Sequence, residues 1–172
     1  VANQMKQELE AKGVSVKFDN RDTMRPGAKF AQYELQGVPL RIAIGPKDLE
    51  NGTVELARRD ILTKEIVDSN QIVEVVEKLL IEIQQDLHQK ATAYRDAHIT
   101  EVNSFEEFKE VLESKGGFIS AHWDGTAETE QKIKELTKAT IRCIPFDFKE
   151  EDGACVYTRN PSKMRVLFAK AY

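Results

Sequence analysis

Cysteine and tryptophan are almost missing from this chain. Among 172 residues only Cys143 and Cys155 carry thiols, too few for the disulfide framework of a secreted domain, so two free thiols are the expected state. Long apolar runs are missing too. None approaches the roughly 20 residues of a membrane-spanning helix, and the start, Val1 to Lys6, lacks the hydrophobic stretch of a signal peptide. The chain therefore reads as cytoplasmic, with no membrane partner. Excess positive charge is also absent: 25 Lys and Arg stand against 29 Asp and Glu, a net charge of -4. That balance excludes a basic coat for gripping nucleic acid, and any RNA binding must use a local patch.

The phosphate-cradling GxxxxGK[ST] and GxGxxG turns do not occur, so ATP chemistry by this chain alone is not expected and no cofactor site is assigned. His88, His98 and His122 lie apart and no GxSxG turn accompanies them, which leaves surface or packing roles for all three.

What is present is ordinary globular composition, 41% hydrophobic and 31% charged, enough for one large domain or two small ones. Met5 and Leu9 ahead of Gly13 predict a helix over residues 2–12, followed by a strand over 14–18. A helix that feeds a strand needs an earlier strand to pack on, and residue 1 is not Met, so the expectation is that the sequence begins partway through a larger protein. Pro26 opens a second helix running to Gly37, and residues 38–44 read as a strand with Pro39 at its start or edge. Thr53–Arg58 and Lys64–Val67 read as a further strand pair, a hairpin if the intervening turn is tight.

Ile72, Val75, Val76, Leu79, Leu80, Ile83 and Leu87 recur at helical spacing and predict a long amphipathic helix from about residue 70 into the nineties. The polar stretch around residues 94–98 marks the boundary between a first domain over 1–98 and a second over 99–172. Ser104-Phe105-Glu106-Glu107 is a capping box, with a helix to Gly116-Gly117. A strand over 118–121, a helix over 126–139, a strand over 140–144 that makes Cys143 a small core residue, and strands over 153–157 and 164–169 complete a second α/β layer.

Residues 19–64 interleave Arg21, Arg25, Lys29, Arg41, Lys47, Arg58, Arg59 and Lys64 with Phe30, Tyr33 and several carboxylates. Residues 1–64 carry 11 basic against 9 acidic side chains, whereas 65–172 carry 14 against 20. Aromatics stack on unpaired bases, cations meet phosphates or purine N7 and O6, and carboxylates accept guanine N1–H and N2–H. On composition alone a solvated surface laced with salt bridges competes with that reading.

Arg21-Asp22, Pro26-Gly27-Ala28-Lys29-Phe30, Glu34 to Arg41 and Gly45-Pro46-Lys47-Asp48-Leu49 closely resemble the anticodon-binding domain of prolyl-tRNA synthetases. Ala121-His122-Trp123, Thr140 to Phe146 and Val166 to Tyr172 resemble the extra C-terminal domain of the archaeal/eukaryotic-type enzymes, which some bacteria also carry. The resemblance implies an α/β fold: an anticodon-binding domain with a mixed sheet flanked by helices, then a small α+β domain. It implies the tRNA-recognition part of a homodimeric class II ligase that activates proline with ATP and Mg²⁺ and charges tRNA(Pro), with an upstream catalytic domain as partner. The catalytic motifs of that class do not occur here, so no catalytic residue is assigned and the chain alone is not expected to aminoacylate.

Carried over position by position, the resemblance implies Phe30 as the stacking side chain and Glu34 and Asp48 as carboxylates for guanine edges. Arg41, Lys47 and Lys64 become the cationic partners, and Tyr172 the residue whose terminal carboxylate docks on the catalytic domain. The zinc cysteines of some relatives fall at Asp124, Thr129, Cys155 and Thr158, which leaves one thiolate and predicts no zinc. The alternatives are a non-catalytic RNA-binding module, the anticodon domain of another class II synthetase, or a small flavodoxin-like enzyme. The ending beyond residue 99 argues against histidyl, threonyl and glycyl enzymes.

Overall fold

The structure, a computed structural model, describes residues 1–147 and 149–170. It divides into two compact units, Val1–Lys90 and Ala91–Tyr172.

In the first unit α1 (Ala2–Ala11) places Met5 and Leu9 in the core. The following residues 14–18 form no strand, contrary to the expectation from their alternation. Val14 and Val16 still turn inward against the core, so the period of two sets burial, but a strand also requires a hydrogen-bonded neighbour, and none pairs with this segment among the described residues. Pro26 occupies the first turn of α2 (Pro26–Leu35). At its end Gly37 takes φ +82°, and Gly37 N–H and Val38 N–H donate to Glu34 O and Tyr33 O at 3.1 and 3.0 Å, the reciprocal pair that closes a helix through a left-handed residue.

Strand β1 (Leu40–Ala43) is followed by a short helix α3 (Pro46–Asn51), which the sequence reading left unassigned, and then by β2 (Thr53–Arg58) and β3 (Thr63–Asp68). The sheet order is β1-β2-β3 and both pairings are antiparallel, with Arg41 opposite Ala57 and Ala57 opposite Lys64. Val54 and Leu56 face the core with Leu40 and Ile42, beneath α1 and α4 (Ile72–Ala97). Alternation therefore sends Arg41, Glu55, Ala57 and Lys64 to the opposite face.

Arg58 shares the core-side face and is only 9% exposed, with its guanidinium bound to Asp60 at 2.8 Å, Glu82 at 2.5 Å and Asp86 at 3.1 Å. This network ties the β2–β3 turn to α4, and the hydrogen bonds from Arg58 hold the Asp60 carboxyl below its usual range.

The second unit contains a mixed four-stranded sheet in the order β4-β5-β9-β6, made by β4 (Ile99–Glu101), β5 (Phe118–His122), β6 (Ala139–Cys143) and β9 (Arg165–Lys170). Strands β4 and β5 are parallel, and β9 runs antiparallel to both β5 and β6. Helix α5 (Phe105–Ser114) begins at the anticipated capping box: Glu107 N–H donates to Ser104 Oγ at 3.2 Å and Ser104 N–H to Glu107 Oε2 at 3.3 Å. The helix buries Phe108 edge-on against Phe168, ring centroids 5.2 Å apart. Helix α6 (Ala127–Thr137) adds Ile133 to the same core.

Two sequence expectations change here. Cys143 is exposed, because a register shift between Ile141 and Cys143 rotates the end of β6 out of phase with the core. The expected strand over 153–157 shrinks to β7 (Gly153–Ala154), paired with β8 (Pro161–Ser162), and Cys155 to Thr158 turn instead. His122, by contrast, takes the packing role expected of it: it is buried, with Nδ1 3.2 Å from Ser162 Oγ and its ring against Gly153.

Candidate nucleic-acid interface

The outer face of the first unit's sheet carries a cleft lined by Phe30, Tyr33 and Glu34 of α2, Arg41 of β1, and Arg59 and Lys64 of the β2–β3 hairpin. Its volume, about 130 Å³, is below the roughly 300 Å³ of ordinary small-molecule pockets. It suits contact with an extended surface ligand rather than burial of a cofactor. Helix α2 supplies one wall because Phe30, Tyr33 and Glu34 repeat at spacings of three and four and so share a face.

The Arg41 guanidinium lies over the Phe30 ring, 3.6 Å from its centroid. Its Nη1 donates to Glu55 Oε1 at 3.1 Å, and Lys64 Nζ approaches the same oxygen at 3.3 Å. One carboxylate on the central strand therefore joins the two cations of the flanking strands. Burial pushes the Glu55 carboxyl up, but the hydrogen bonds from Arg41 and Lys64 outweigh it and hold the group below its usual range. Arg41 Nε is buried and has no partner among the described residues.

Of the six anticodon candidates, Phe30, Glu34, Arg41 and Lys64 come together at this cleft. Glu34 is exposed at its rim. Lys47 and Asp48 stand apart on α3, where Lys47 is exposed and Asp48 Oδ2 accepts from Gly45 N–H at 2.8 Å, capping its own helix. Three other cations from residues 19–64 are spent on structure. Arg58 serves the α4 network, and Arg21 and Lys29 meet Asp19, which also accepts from Tyr33 Oη at 3.2 Å. The hydrogen bonds from Arg21 hold Asp19 well below the carboxylate range. This cluster anchors residues 19–21 to α2 and leaves Arg25, Lys47 and Arg59 without ion pairs among the described residues.

Sequence reasoning missed Glu55. Its signal was present in the alternation of Thr53–Arg58, which opposes residue 55 to Val54 and Leu56 and so places it on the face of Arg41.

In the second unit three of the four positions matching zinc cysteines in relatives, Asp124, Thr129 and Thr158, converge around the Asp124 carboxylate. Asp124 Oδ2 accepts from Thr158 Oγ1 at 2.7 Å and Thr129 Oγ1 at 2.9 Å, while Oδ1 accepts from Thr126 Oγ1 and N–H at 3.0 and 3.2 Å. Burial raises the Asp124 carboxyl, and these donors more than offset that, so it stays ionised below its usual range. The donor set does not fit tetrahedral zinc: two of the four groups are neutral hydroxyls, and both already donate to the carboxylate. Tyr172 lies outside the described residues.

Comparison with known proteins matches these units separately. Residues 1–79 match the family described as "Anticodon binding domain", and residues 105–172 the one described as "Prolyl-tRNA synthetase, C-terminal". The proline–tRNA ligase of Christiangramia forsetii is 70% identical over 172 residues, covering 100% of this chain and 35% of that protein. That of Flavobacterium johnsoniae is 66% identical over 170 residues, 99% of this chain and 35% of the relative. The corresponding ligase of Porphyromonas gingivalis is 57% identical over 171 residues, 99% and 34%. The chain thus spans about a third of the length of the curated relatives it matches. Order of domains and identity over the whole chain agree: it belongs to the prolyl-tRNA synthetase family, carrying an anticodon-binding domain followed by that family's C-terminal domain.

Proposed function

We propose that the cleft of the first unit reads the paired guanines of proline anticodons, as the tRNA-recognition part of an ATP-dependent proline–tRNA ligase. The observation that carries the reading is the Arg41 guanidinium stacked on Phe30, with Lys64 and Glu34 at the same cleft. An Arg plane backed by an aromatic ring is a stacking surface for an unstacked base that also keeps its edge donors. Lys64 supplies charge for a phosphate or a guanine O6/N7, and Glu34 is of the right type to accept guanine N1–H and N2–H. Lys47, at the start of α3, adds an exposed cation outside the cleft, and Asp48 a second carboxylate beside it.

Charging belongs in this proposal to an upstream catalytic domain that binds ATP and Mg²⁺, within a cytoplasmic homodimer. The chain's own contribution is selection of the tRNA. Fluorescence anisotropy at fixed salt, comparing a proline-tRNA anticodon stem-loop with one whose two guanines are replaced, tests it. Tighter binding of the guanine loop is expected, and equal binding of both would reduce the cleft to a generic RNA surface.

A further inference from the structure

Glu55 stands in a position that the resemblance assigns to no role, yet among the described residues it is the one side chain joined to two of the cleft cations, Arg41 and Lys64. It projects from β2 between Arg41 on β1 and Lys64 on β3, and a single oxygen, Oε1, accepts from both, at 3.1 and 3.3 Å. Its side chain is 29% exposed, whereas that of Lys64 is 56% exposed. Without Glu55, Lys64 would extend into solvent and sample its many rotamers. Arg41 would keep its contact with Phe30 but lose the hydrogen bond that fixes rotation of the guanidinium about that ring. Arg41 Nε is buried without a partner, and Glu55 is the one hydrogen-bond acceptor of the guanidinium among the described residues.

Electrostatics adds a second consequence. Arg41, Arg59 and Lys64 line the cleft, and Glu55 offsets one of the two positive charges that Arg41 and Lys64 contribute. A cleft with less net charge binds phosphates in general less strongly. The same carboxylate that aims the guanidinium thus lowers affinity for RNA lacking the matching base edges, which is how a repulsive element contributes to specificity.

We infer that Glu55 is a positioning and specificity-determining residue of this cleft, holding Arg41 in a fixed plane on Phe30 and restraining Lys64, so that RNA is selected by base edge rather than by phosphate charge. The inference rests on the proposed anticodon reading for its RNA consequence, and on the geometry alone for the ordering of Arg41.

The test compares the wild-type chain with Glu55→Ala and Glu55→Gln against the guanine-bearing and guanine-replaced stem-loops across a salt series, with the Arg41 Nε–H signal followed by NMR without RNA. Glu55→Ala is expected to lower the preference for the guanine loop about tenfold, because two side chains must then be ordered on binding. Binding of the replaced loop should hold or tighten, and the slope of log affinity against log salt should steepen by about 1, reflecting one unmasked cation. The Arg41 Nε–H signal should broaden or exchange faster. Glu55→Gln retains an acceptor and should restore much of the Arg41 signal and the preference while keeping the steeper slope. Equal weakening for both loops with an unchanged slope would reduce Glu55 to a fold-stabilising residue and overturn the inference. So would an unchanged Arg41 signal in Glu55→Ala, whatever the RNA does. If wild type fails to discriminate between the loops, the anticodon reading fails by itself, and the Arg41 signal still decides the positioning claim.

Discussion

Replacing Asp124 by Ala removes the acceptor of four hydrogen bonds, and the exposure of each donor sets what that costs. Thr158 is exposed, so water takes over its hydroxyl, and the loss there is about 0.5 kcal/mol. Thr126 is exposed as well, and its hydroxyl, released from Asp124, can donate instead to Thr129 Oγ1 2.9 Å away, for a similar loss of about 0.5 kcal/mol. Thr129 differs because it is 4% exposed. Its hydroxyl loses a charged acceptor inside the protein, where an unsatisfied group costs about 1 to 3 kcal/mol. The expected destabilisation is therefore about 2 to 4 kcal/mol, most of it carried by one threonine.

Trp123, the single tryptophan, adjoins Asp124 and donates from Nε1 to Thr126 O at 3.1 Å, so urea denaturation followed by its fluorescence reports this unit directly. Thr129→Val should cost less than Asp124→Ala. The double variant should be more stable than the sum of the singles predicts, by about 1 kcal/mol, because removing both partners leaves fewer orphaned groups. A loss below about 0.5 kcal/mol for Asp124→Ala, or strict additivity, would refute the view that this cluster holds the region together.

Glu34→Ala should weaken binding of the guanine-bearing loop by about 1 to 3 kcal/mol through loss of one base-edge acceptor, while leaving the replaced loop little changed; equal losses would remove Glu34 from the reader. Lys47→Ala should lower the salt dependence of binding by about 1 if the side chain meets a phosphate, and an unchanged slope would reassign it to a base. Acid should destabilise the chain. The folded-state values of Asp19, Glu55, Asp60 and Asp124 are all depressed, so their contribution is full above the unfolded values near 4 and is lost as pH falls through the lower folded values. Urea midpoints should fall steadily below about pH 4, and a midpoint flat between about pH 6 and pH 3 would contradict the ion-pair assignments.

The long helix α4, the capping box of α5, the hairpin β2–β3 and the face of α2 were legible because each rests on a local rule: a period, a cap, a turn or an alternation. The strand expected over 14–18 and the core role expected for Cys143 were not, because both depend on neighbours distant in sequence, a pairing partner in one case and a register shift in the other. The cleft was half legible. Phe30, Glu34, Arg41 and Lys64 were identified by residue type and by resemblance, and the fold brings them together. What composition could not reveal is which cations are already committed. Arg21, Lys29 and Arg58 look like RNA-binding candidates in a linear reading, but Asp19 and the acids of α4 claim them in three dimensions. Glu55 escaped for the complementary reason, since its importance lies in two partners on strands that flank it in space.

The most direct test of the central claim is a titration of the ¹⁵N-labelled chain with the guanine-bearing anticodon stem-loop, followed by amide chemical shifts. The account predicts saturable shifts concentrated on α2 from Phe30 to Glu34, on β1 around Arg41 and on the β2–β3 turn through Lys64, with much smaller shifts for the guanine-replaced loop. Shifts confined to residues 99–170, or equal patterns for the two loops, would contradict it.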